Sequence, residues 1–226
     1  MAPPVAWRAA SGTPTQVLLL RHGQTAMSVQ KRYAGITDVP LNDTGIAQAD
    51  AAARRLADAG LDAIVSSPLL RTRQTAEEVA ARCGLPVEVD EGFRETDFGQ
   101  WEGLTFAEVR ERWPDELTRW LSDPLATPPG AEKFSDADAR VRAALDRVLS
   151  AHAAQRVLVV SHVGPIKTLI CSVLGAPPAA LFRMHLDTAA LCSADWFPDG
   201  PALLRSYNDT SHLSGLPSAA QGSASG

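Results

Sequence analysis

Short aliphatic runs alternate with longer amphipathic segments along most of the chain. The runs Val17–Leu20 and Val157–Val160 are apolar at every position, a pattern typical of strands that are buried on both faces. Short segments at 61–65 and 87–89, each apolar except for one acidic residue, predict two further strands. Strand-like segments near 189–196 and 202–207 complete the set.

The segments between these strands carry helix signals. Asn42 is expected to cap an Ala-rich helix that ends at Gly60, because Asn accepts hydrogen bonds from free N–H groups and Gly suits the left-handed residue that ends a helix. Pro68 follows two serines and predicts the first position of a helix that runs to about Cys83 and stops at Gly84.

Two more helices are predicted in the second half of the chain. Gly164 and Pro165 open one that reaches about Leu174. The other covers 135–153, where apolar residues recur at helical spacing: Val141, Ala144, Leu145 and Val148. Strands that alternate with helices predict an α/β fold, with a mostly parallel sheet covered by helices on both faces.

Residues 93–134 depart from this alternation. Their sequence is charged and helical in character, is interrupted by Pro and Gly, and carries aromatic residues throughout: Phe93, Phe98, Trp101, Phe106, Trp113, Trp120 and Phe134. We expect a helical insertion at about 93–134 that folds over the main sheet. Its aromatic residues are expected to form the core of the insertion, and one or two of them to line a substrate site.

The length of 226 residues is sufficient for one well-buried domain. We expect this domain at 16–210, between a flexible N-terminal arm at 1–15 and a flexible C-terminal tail at 211–226, both rich in small residues. The net charge of −5, from 21 basic and 26 acidic residues, argues against nucleic-acid binding through a general basic surface. It is compatible with a small basic pocket that holds an anion.

The three cysteines, Cys83, Cys171 and Cys192, show no metal-ligand spacing. An odd number without such spacing indicates reduced thiols in a cytosolic protein rather than a disulfide framework. No apolar segment has the length of a signal-peptide core or a membrane span. We therefore expect a cytoplasmic protein with no membrane partner; the oligomeric state stays open.

Polar side chains follow three of the predicted strands. Arg21 and His22 come directly after the first strand, a Ser-Ser pair precedes the helix that carries Arg71, and His162 follows the strand at 157–160. In an open α/β sheet, ligands bind at the carboxyl ends of the strands beside helix N-termini. Arginines and helix N-termini both hold oxyanions. The sequence therefore predicts a phosphate pocket at this edge.

A histidine beside a phosphate can act as a nucleophile, because a neutral imidazole nitrogen can take up the phosphoryl group. Its other ring nitrogen must then donate to a fixed acceptor, expected to be a backbone carbonyl. The leaving alkoxide needs a proton from a carboxylic acid near the pocket rim. The sequence contains no HExxH, GxxxxGK[ST] or GxSxG motif, so no metal and no cofactor are expected.

Four stretches, in this order, resemble the histidine phosphatase superfamily with its phosphoglycerate-mutase-like fold: LLRHGQT (19–25), VSSPLLRTRQTA (65–76), FRETDFGQWEGLT (93–105) and VVSHVGPIK (159–167). The resemblance covers roughly residues 16–208. The pattern is similar to the phosphatase branch, including α-ribazole-phosphate phosphatases, and most similar to the acid phosphatase half of actinobacterial ribonuclease H–phosphatase fusions. No stretch resembles the ribonuclease half, so we expect either a free-standing relative or one domain of such a fusion.

The resemblance implies a role for each residue of the pocket. His22 is the nucleophile that becomes phosphorylated, and Arg21 and Arg71 grip the phosphate. His162, in its protonated form, stabilises the transferring group and also contacts the phosphate. Glu95 is the proton donor to the leaving group.

Two positions depart from the family pattern. The family usually has Asn where Ser28 stands, three residues after the motif Thr, and its amide reaches a phosphate oxygen. A hydroxyl is shorter, so we expect Ser28 to contact the phosphate through water. The family often has Gly directly after the second histidine, whereas here Val163 stands there and Gly follows at 164.

The assignment of Glu95 depends mainly on the resemblance, and Asp97, two residues later, is the alternative acid. The three remaining histidines are expected to have no catalytic role. His152 suits a helix C-terminus, His185 is expected to be structural, and His212 is expected to be solvated at the start of the tail.

We therefore expect a metal-independent phosphomonoester hydrolase, an acid phosphatase acting on a small phosphorylated metabolite such as α-ribazole phosphate. The alternatives are phosphoryl transfer of the phosphoglycerate mutase type and a weakly active binding protein that keeps the fold. Residues 95–134 contain nine acidic residues and four basic ones, Arg110, Arg112, Arg119 and Lys133. This balance favours a substrate with one phosphate over one with several anionic groups.

Overall fold

The computed structural model describes residues 10–123 and 126–216. Its strands are β1 (Thr15–Arg21), β2 (Ala63–Ser66), β3 (Val87–Val89), β4 (Arg156–Ser161), β5 (Leu191–Trp196) and β6 (Ala202–Asp209). Its α-helices are α1 (Ala26–Val29), α2 (Asp43–Leu56), α3 (Leu70–Cys83), α4 (Phe106–Arg112), α5 (Pro114–Ser122), α6 (Phe134–Ala151) and α7 (Val163–Leu174). Short 3-10 turns lie at Glu91–Phe93, Gly99–Trp101, Pro178–Arg183 and Ser211–Leu213.

The six strands form one sheet in the order β3-β2-β4-β1-β5-β6. The pairs β2–β3, β2–β4 and β1–β4 are parallel, whereas β5 runs antiparallel to both β1 and β6. The predicted mostly parallel α/β fold is confirmed.

Helices cover both faces of the sheet, and β4 shows how the sequence divides between them. Val157 and Val159 pack into an apolar cluster with residues of α6 and α7, such as Val141. Leu158 and Val160 point the other way, into a second cluster with residues of α2 and α3. Because alternate side chains enter two different apolar layers, the strand is hydrophobic at every position.

The helix boundaries differ from the sequence-based expectation at two points. Asn42 does cap α2, with its side chain accepting from the Gly45 N–H, and Gly84 ends α3 at φ 68°. However, α2 ends at Leu56, with Ala57 and not Gly60 as its C-cap. The predicted start of α3 at Pro68 was also wrong, because the helix begins at Leu70.

The insertion at 93–134 contains α4, α5 and the 3-10 turn at Gly99–Trp101. Trp101, Val109 and Leu117 form a third apolar cluster with several partly buried aromatic residues around it, Tyr33, Phe98, Trp113 and Trp120. The expectation of a separate aromatic core is therefore met for most of the segment. Three aromatic residues depart from it: Phe93 is buried in the main cluster with residues of the sheet and α6, Phe106 is 43% exposed, and Phe134 is partly buried outside the third cluster.

Both ends of the domain extend slightly beyond the expected bounds 16–210. Thr15 already belongs to β1, and the predicted tail begins with the 3-10 turn Ser211–Leu213. His212 is half-buried and its Nε2 is 3.0 Å from the carbonyl oxygen of Ala189, so the expectation of a solvated His212 was wrong. Most of the two predicted arms, 1–9 and 217–226, lies outside the described residues.

None of the helices within 10–123 and 126–216 combines the length and apolar character needed to cross a membrane.

Candidate active site

The carboxyl ends of β1, β2 and β4 lie side by side. In the parallel ladders Arg21 pairs with Ser161, and Ser66 pairs with Val160. The residues that follow these strands therefore emerge at the same edge of the sheet. The rings of His22 and His162 meet there, with centroids 5.2 Å apart and an angle of 60° between their planes.

His22 has one fixed proton. Its Nδ1 is 2.7 Å from the carbonyl oxygen of Gly23, and since a carbonyl only accepts, Nδ1 must carry the hydrogen. In the neutral ring, the lone pair is then on Nε2. Burial, followed by the nearby charges of Arg71 and Arg21, holds the pKa of His22 well below its usual value, so the ring is neutral at physiological pH. The expected backbone acceptor is present.

Gly23 allows the loop after β1 to pack closely on the rest of the fold. A Cβ at this position would lie 2.5 Å from the carbonyl oxygen of Gly45 in α2. The N–H of Gly23 donates to the hydroxyl of Thr75, which in turn donates to the carbonyl of Arg71. These contacts join the nucleophile loop to α2 and α3.

His162 is the N-cap residue of α7 and is fully buried. Its Nε2 is 2.7 Å from the hydroxyl of Ser67, and its Nδ1 has no partner within the described part of the chain. Burial, with Arg71 as the next cause, holds the pKa of His162 well below its usual value. These surroundings favour the neutral ring in the free site, and the protonated form expected during phosphoryl transfer stays a prediction.

Backbone carbonyls anchor the two arginines of the site. Arg21 donates from NH1 to the carbonyl of Leu186, and burial lowers its pKa to about 10. Arg71, which is 1% exposed, donates to three carbonyls of the loop before α2, those of Ala34, Gly35 and Thr37. The Nε of each arginine is buried without a partner among the described residues.

Glu95 is the carboxylic acid of the site. One of its oxygens accepts from the N–H of Thr96, and both lie 3.2 Å from the N–H of Gly164 at the start of α7. Burial is the largest effect and raises the pKa of Glu95, although these N–H groups and the charges of Arg71 and Arg21 oppose it. A buried carboxyl with a raised pKa is suited to hold a proton.

Asp97, the alternative acid, accepts from the N–H of Gly99 and does not share the contacts that Glu95 makes. The position of Glu95 also explains the departure at 163–164. A Cβ at residue 164 would overlap Oε1 of Glu95, so the residue that must lack a side chain is Gly164, and Val163 is tolerated beside it.

Ser28 does not lie in the pocket as a free hydroxyl. It forms a capping box with Thr25 at the start of α1, in which its Oγ donates to the Thr25 carbonyl and accepts from the Thr25 N–H. Its water-mediated phosphate contact stays a prediction. Ser67 also contacts the site through His162, and the sequence does not predict this contact, because a hydrogen bond to a histidine 95 residues away has no local signal.

A cavity of about 280 Å³ adjoins Glu95. One wall comes from α7, with Val163, Pro165 and Lys167, and the opposite wall comes from the insertion. Phe98 and Trp120 belong to that second wall, and the expectation that aromatic residues of the insertion line a substrate site stays a prediction. Phe182, from the 3-10 turn after α7, packs edge-on against Trp120 with ring centroids 5.4 Å apart.

The arrangement can bind a dianion and move a phosphoryl group. Two arginines supply positive charge, His22 presents an unprotonated nitrogen, and Glu95 can hold a proton. Within residues 10–123 and 126–216, no group of three or more His, Cys, Asp or Glu side chains is placed to bind a metal ion.

Known proteins are similar to this chain in sequence. A protein of Mycobacterium tuberculosis described as bifunctional is 49% identical over 208 residues, which are 92% of this chain and 57% of that protein. The chain thus spans little more than half the length of this relative. A Yersinia pestis protein named as a probable phosphoglycerate mutase is 34% identical, with 88% of this chain and 94% of that protein covered.

Solved structures of related proteins also resemble this chain. The α-ribazole phosphatase from Shigella flexneri superimposes with a TM-score of 0.79 at 28% identity, over 86% of this chain and 96% of that one. The family model of the histidine phosphatase superfamily (branch 1) matches residues 17–210, a range that holds every residue of the site described above. The chain belongs to the histidine phosphatase superfamily.

Proposed function

We propose that this chain is a metal-independent phosphomonoesterase that transfers the phosphoryl group of a small metabolite first to His22 and then to water. The observation that carries the proposal is the tautomer of His22. Its Nδ1 proton is held by the Gly23 carbonyl, which leaves Nε2 unprotonated in a pocket where Arg21 and Arg71 can hold the phosphate.

In the first step, Nε2 of His22 attacks phosphorus and the bond from phosphorus to the ester oxygen breaks. Glu95 passes its proton to the departing alkoxide, so the products are phosphohistidine, the alcohol and the Glu95 carboxylate. In the second step, water attacks the phosphohistidine while Glu95 takes its proton, which releases phosphate and restores both residues.

His162 supports the transferring group. When Ser67 donates its hydroxyl proton to Nε2 of His162, the neutral ring carries its hydrogen on Nδ1, the nitrogen without a partner in the described chain. That N–H can donate to a phosphate oxygen. The approaching dianion also raises the pKa of the imidazole, so charge on His162 is favoured when substrate is bound.

The alternative activity, mutase-type transfer, has a relative in its favour, the Yersinia pestis protein. The charges around the cavity argue against it here. Glu95, Asp97 and Glu132 line the cavity, whereas Arg110, Arg112 and Arg119 of the insertion do not. A bisphosphorylated sugar acid brings both a second phosphate and a carboxylate, whereas the described lining of the cavity offers one lysine beside three acidic residues. The lysine can pair with one of these two anionic groups and not with both, so we propose hydrolysis as the main outcome.

The test is a panel of phosphomonoesters that includes α-ribazole phosphate, sugar phosphates, nucleoside monophosphates and phosphoglycerates. Wild-type protein in EDTA should release phosphate from at least one of them, and His22→Ala should release none. With 3-phosphoglycerate, phosphate should exceed the isomerised product. An excess of isomer supports the mutase, loss of activity in EDTA contradicts metal independence, and binding without any turnover supports the binding protein.

A further inference from the structure

Lys167 lines the cavity beside Glu95 and has no partner that explains its position. It lies on α7, three residues after Gly164 and so on the same side of the helix. The side chain is partly buried. No hydrogen bond or ion pair joins it to any residue of the ranges 10–123 and 126–216. The ammonium nitrogen itself stays accessible, so a ligand in the cavity can reach it and accept its hydrogen bonds.

The carboxylates of the same cavity are already engaged. Glu132 pairs with Arg140, with Oε2 2.7 Å from NH2, and its other oxygen lies 3.4 Å from Arg94. Glu95 accepts from two backbone N–H groups, and Asp97 accepts from one. Among the described residues that line the cavity, Lys167 is the cation, and no protein acceptor occupies its N–H donors.

The rest of the cavity is suited to an apolar group. Phe98, Trp120 and Phe182 form an aromatic wall, and Val163 and Pro165 face it from α7. The volume of about 280 Å³ exceeds the roughly 150 Å³ of an apolar cavity that holds benzene. There is room for a ring and one further group.

Resting on the proposed function, we infer that this cavity receives the leaving group, and that Lys167 selects phosphomonoesters whose alcohol combines an apolar or ring-shaped body with one carboxylate. Glu95, at the junction of the phosphate site and the cavity, protonates the ester oxygen of such a substrate. Lys167 binds the carboxylate at the far end of the body.

The test uses benzyl phosphates with a carboxylate, a carboxamide or an amidine on the ring, in a meta and a para series. The three groups are planar and similar in size, and the methylene keeps the leaving-group oxygens similar. Wild-type protein should have a kcat/KM at least about tenfold higher for the carboxylate than for the carboxamide in one series, as expected for a charge-assisted hydrogen bond. Lys167→Met should abolish this ratio, and Lys167→Arg should retain most of it.

Lys133→Met is the matched control. It removes the same charge from an exposed position on the insertion that does not line the cavity, and it should keep the wild-type ratio. Two results would overturn the inference: a higher kcat/KM for the amidine, or an equal loss of kcat/KM for the carboxylate and the carboxamide in Lys167→Met. Neither result would contradict the proposed phosphatase function. Failure of wild-type protein to hydrolyse any phosphomonoester would overturn the proposed function as well.

Discussion

His22 and Glu95 have pKa shifts in opposite directions, and burial is the first cause of both. Burial disfavours the charged form, which is the protonated form of His22 and the deprotonated form of Glu95. The same environment therefore favours an unprotonated His22 and a protonated Glu95, the states that their proposed roles require. The sequence predicts His22 as the nucleophile because it leaves a buried strand next to Arg21. The assignment of Glu95 needed the resemblance, because no local pattern separates it from Asp97.

These shifts predict a bell-shaped pH profile with its maximum on the acidic side of neutrality. Because the pKa of His22 is lowered, the acid limb of the profile should lie below the pH at which histidines usually titrate. Because the pKa of Glu95 is raised, its carboxyl group should stay protonated to a higher pH than usual. Activity should fall as pH rises through the raised pKa of Glu95. Glu95→Gln should lower kcat for an alkyl phosphate by about 10²-fold or more and flatten the alkaline limb.

The leaving group provides the control for this prediction. p-Nitrophenyl phosphate releases an anion that needs little protonation, so the same variant should lose much less activity with it. The assignment is wrong if both substrates lose activity equally and the alkaline limb does not move; Asp97→Asn is then the next variant to measure.

Ser67→Ala removes the hydroxyl that holds Nε2 of His162. We expect kcat to fall about tenfold, the usual scale of one hydrogen bond near a reaction centre, with little change in KM. Ser67 is a positioning residue, so Ser67→Thr should recover part of the loss. The exposed Ser150, whose hydroxyl donates within α6, supplies the control variant Ser150→Ala. If Ser67→Ala keeps the wild-type kcat, Ser67 does not position His162 for the reaction.

At the scale of elements, the strands were predictable because apolar runs and their polar endings are local features. Helix starts were less predictable. Pro68 and the serines before it predict a capped helix that begins at Pro68. In the structure the Ser67 hydroxyl contacts His162 instead, and α3 begins at Leu70, with no side-chain hydrogen bond at its N-cap. Gly60 does not cap α2, because the helix ends four residues earlier, at Leu56.

The start of α7 gives a prediction of its own. Gly164→Ala places a methyl group against Oε1 of Glu95 and should displace that carboxyl group. We expect kcat for an alkyl phosphate to fall about 10²-fold, the effect of a displacement near 1 Å, while circular dichroism shows a folded protein. Gly215→Ala is the control, because a Cβ there meets no atom within 4 Å. Unchanged kcat in Gly164→Ala would show that Glu95 is not held in this position.

At the scale of the whole molecule, the sheet with helices on both faces follows from the sequence, because strands that are apolar at every position require two covers. The leaving-group cavity does not follow from it. Its walls come from α7, the insertion and the 3-10 turn Pro178–Arg183, and no local pattern shows that Trp120 meets Phe182. That Lys167 has no ion-pair or hydrogen-bond partner within 10–123 and 126–216 likewise becomes visible only once these segments are packed.

The buried histidines predict how stability depends on pH. Burial lowers the pKa of His22, His162 and His212. Near pH 6.5 these histidines therefore bind protons in the unfolded chain but stay neutral in the folded chain. The free energy of unfolding should therefore fall as pH drops from 7 towards 5. The raised pKa of Glu95 increases the free energy of unfolding as pH falls, but the three histidines together outweigh this single carboxyl group. Urea unfolding at pH 7, 6 and 5 measures the slope, which His162→Asn should reduce; a slope that His162→Asn leaves unchanged would contradict the depressed pKa of His162.

The central claim is that His22 carries the phosphoryl group, and rapid quenching tests it most directly. Wild-type protein mixed with ³²P-labelled phosphomonoester and quenched within milliseconds should yield an adduct on His22 that is labile in acid and stable in base. Its rate of formation should match or exceed kcat. Normal turnover by His22→Ala, or a kinetically competent adduct on any other residue, would contradict the account.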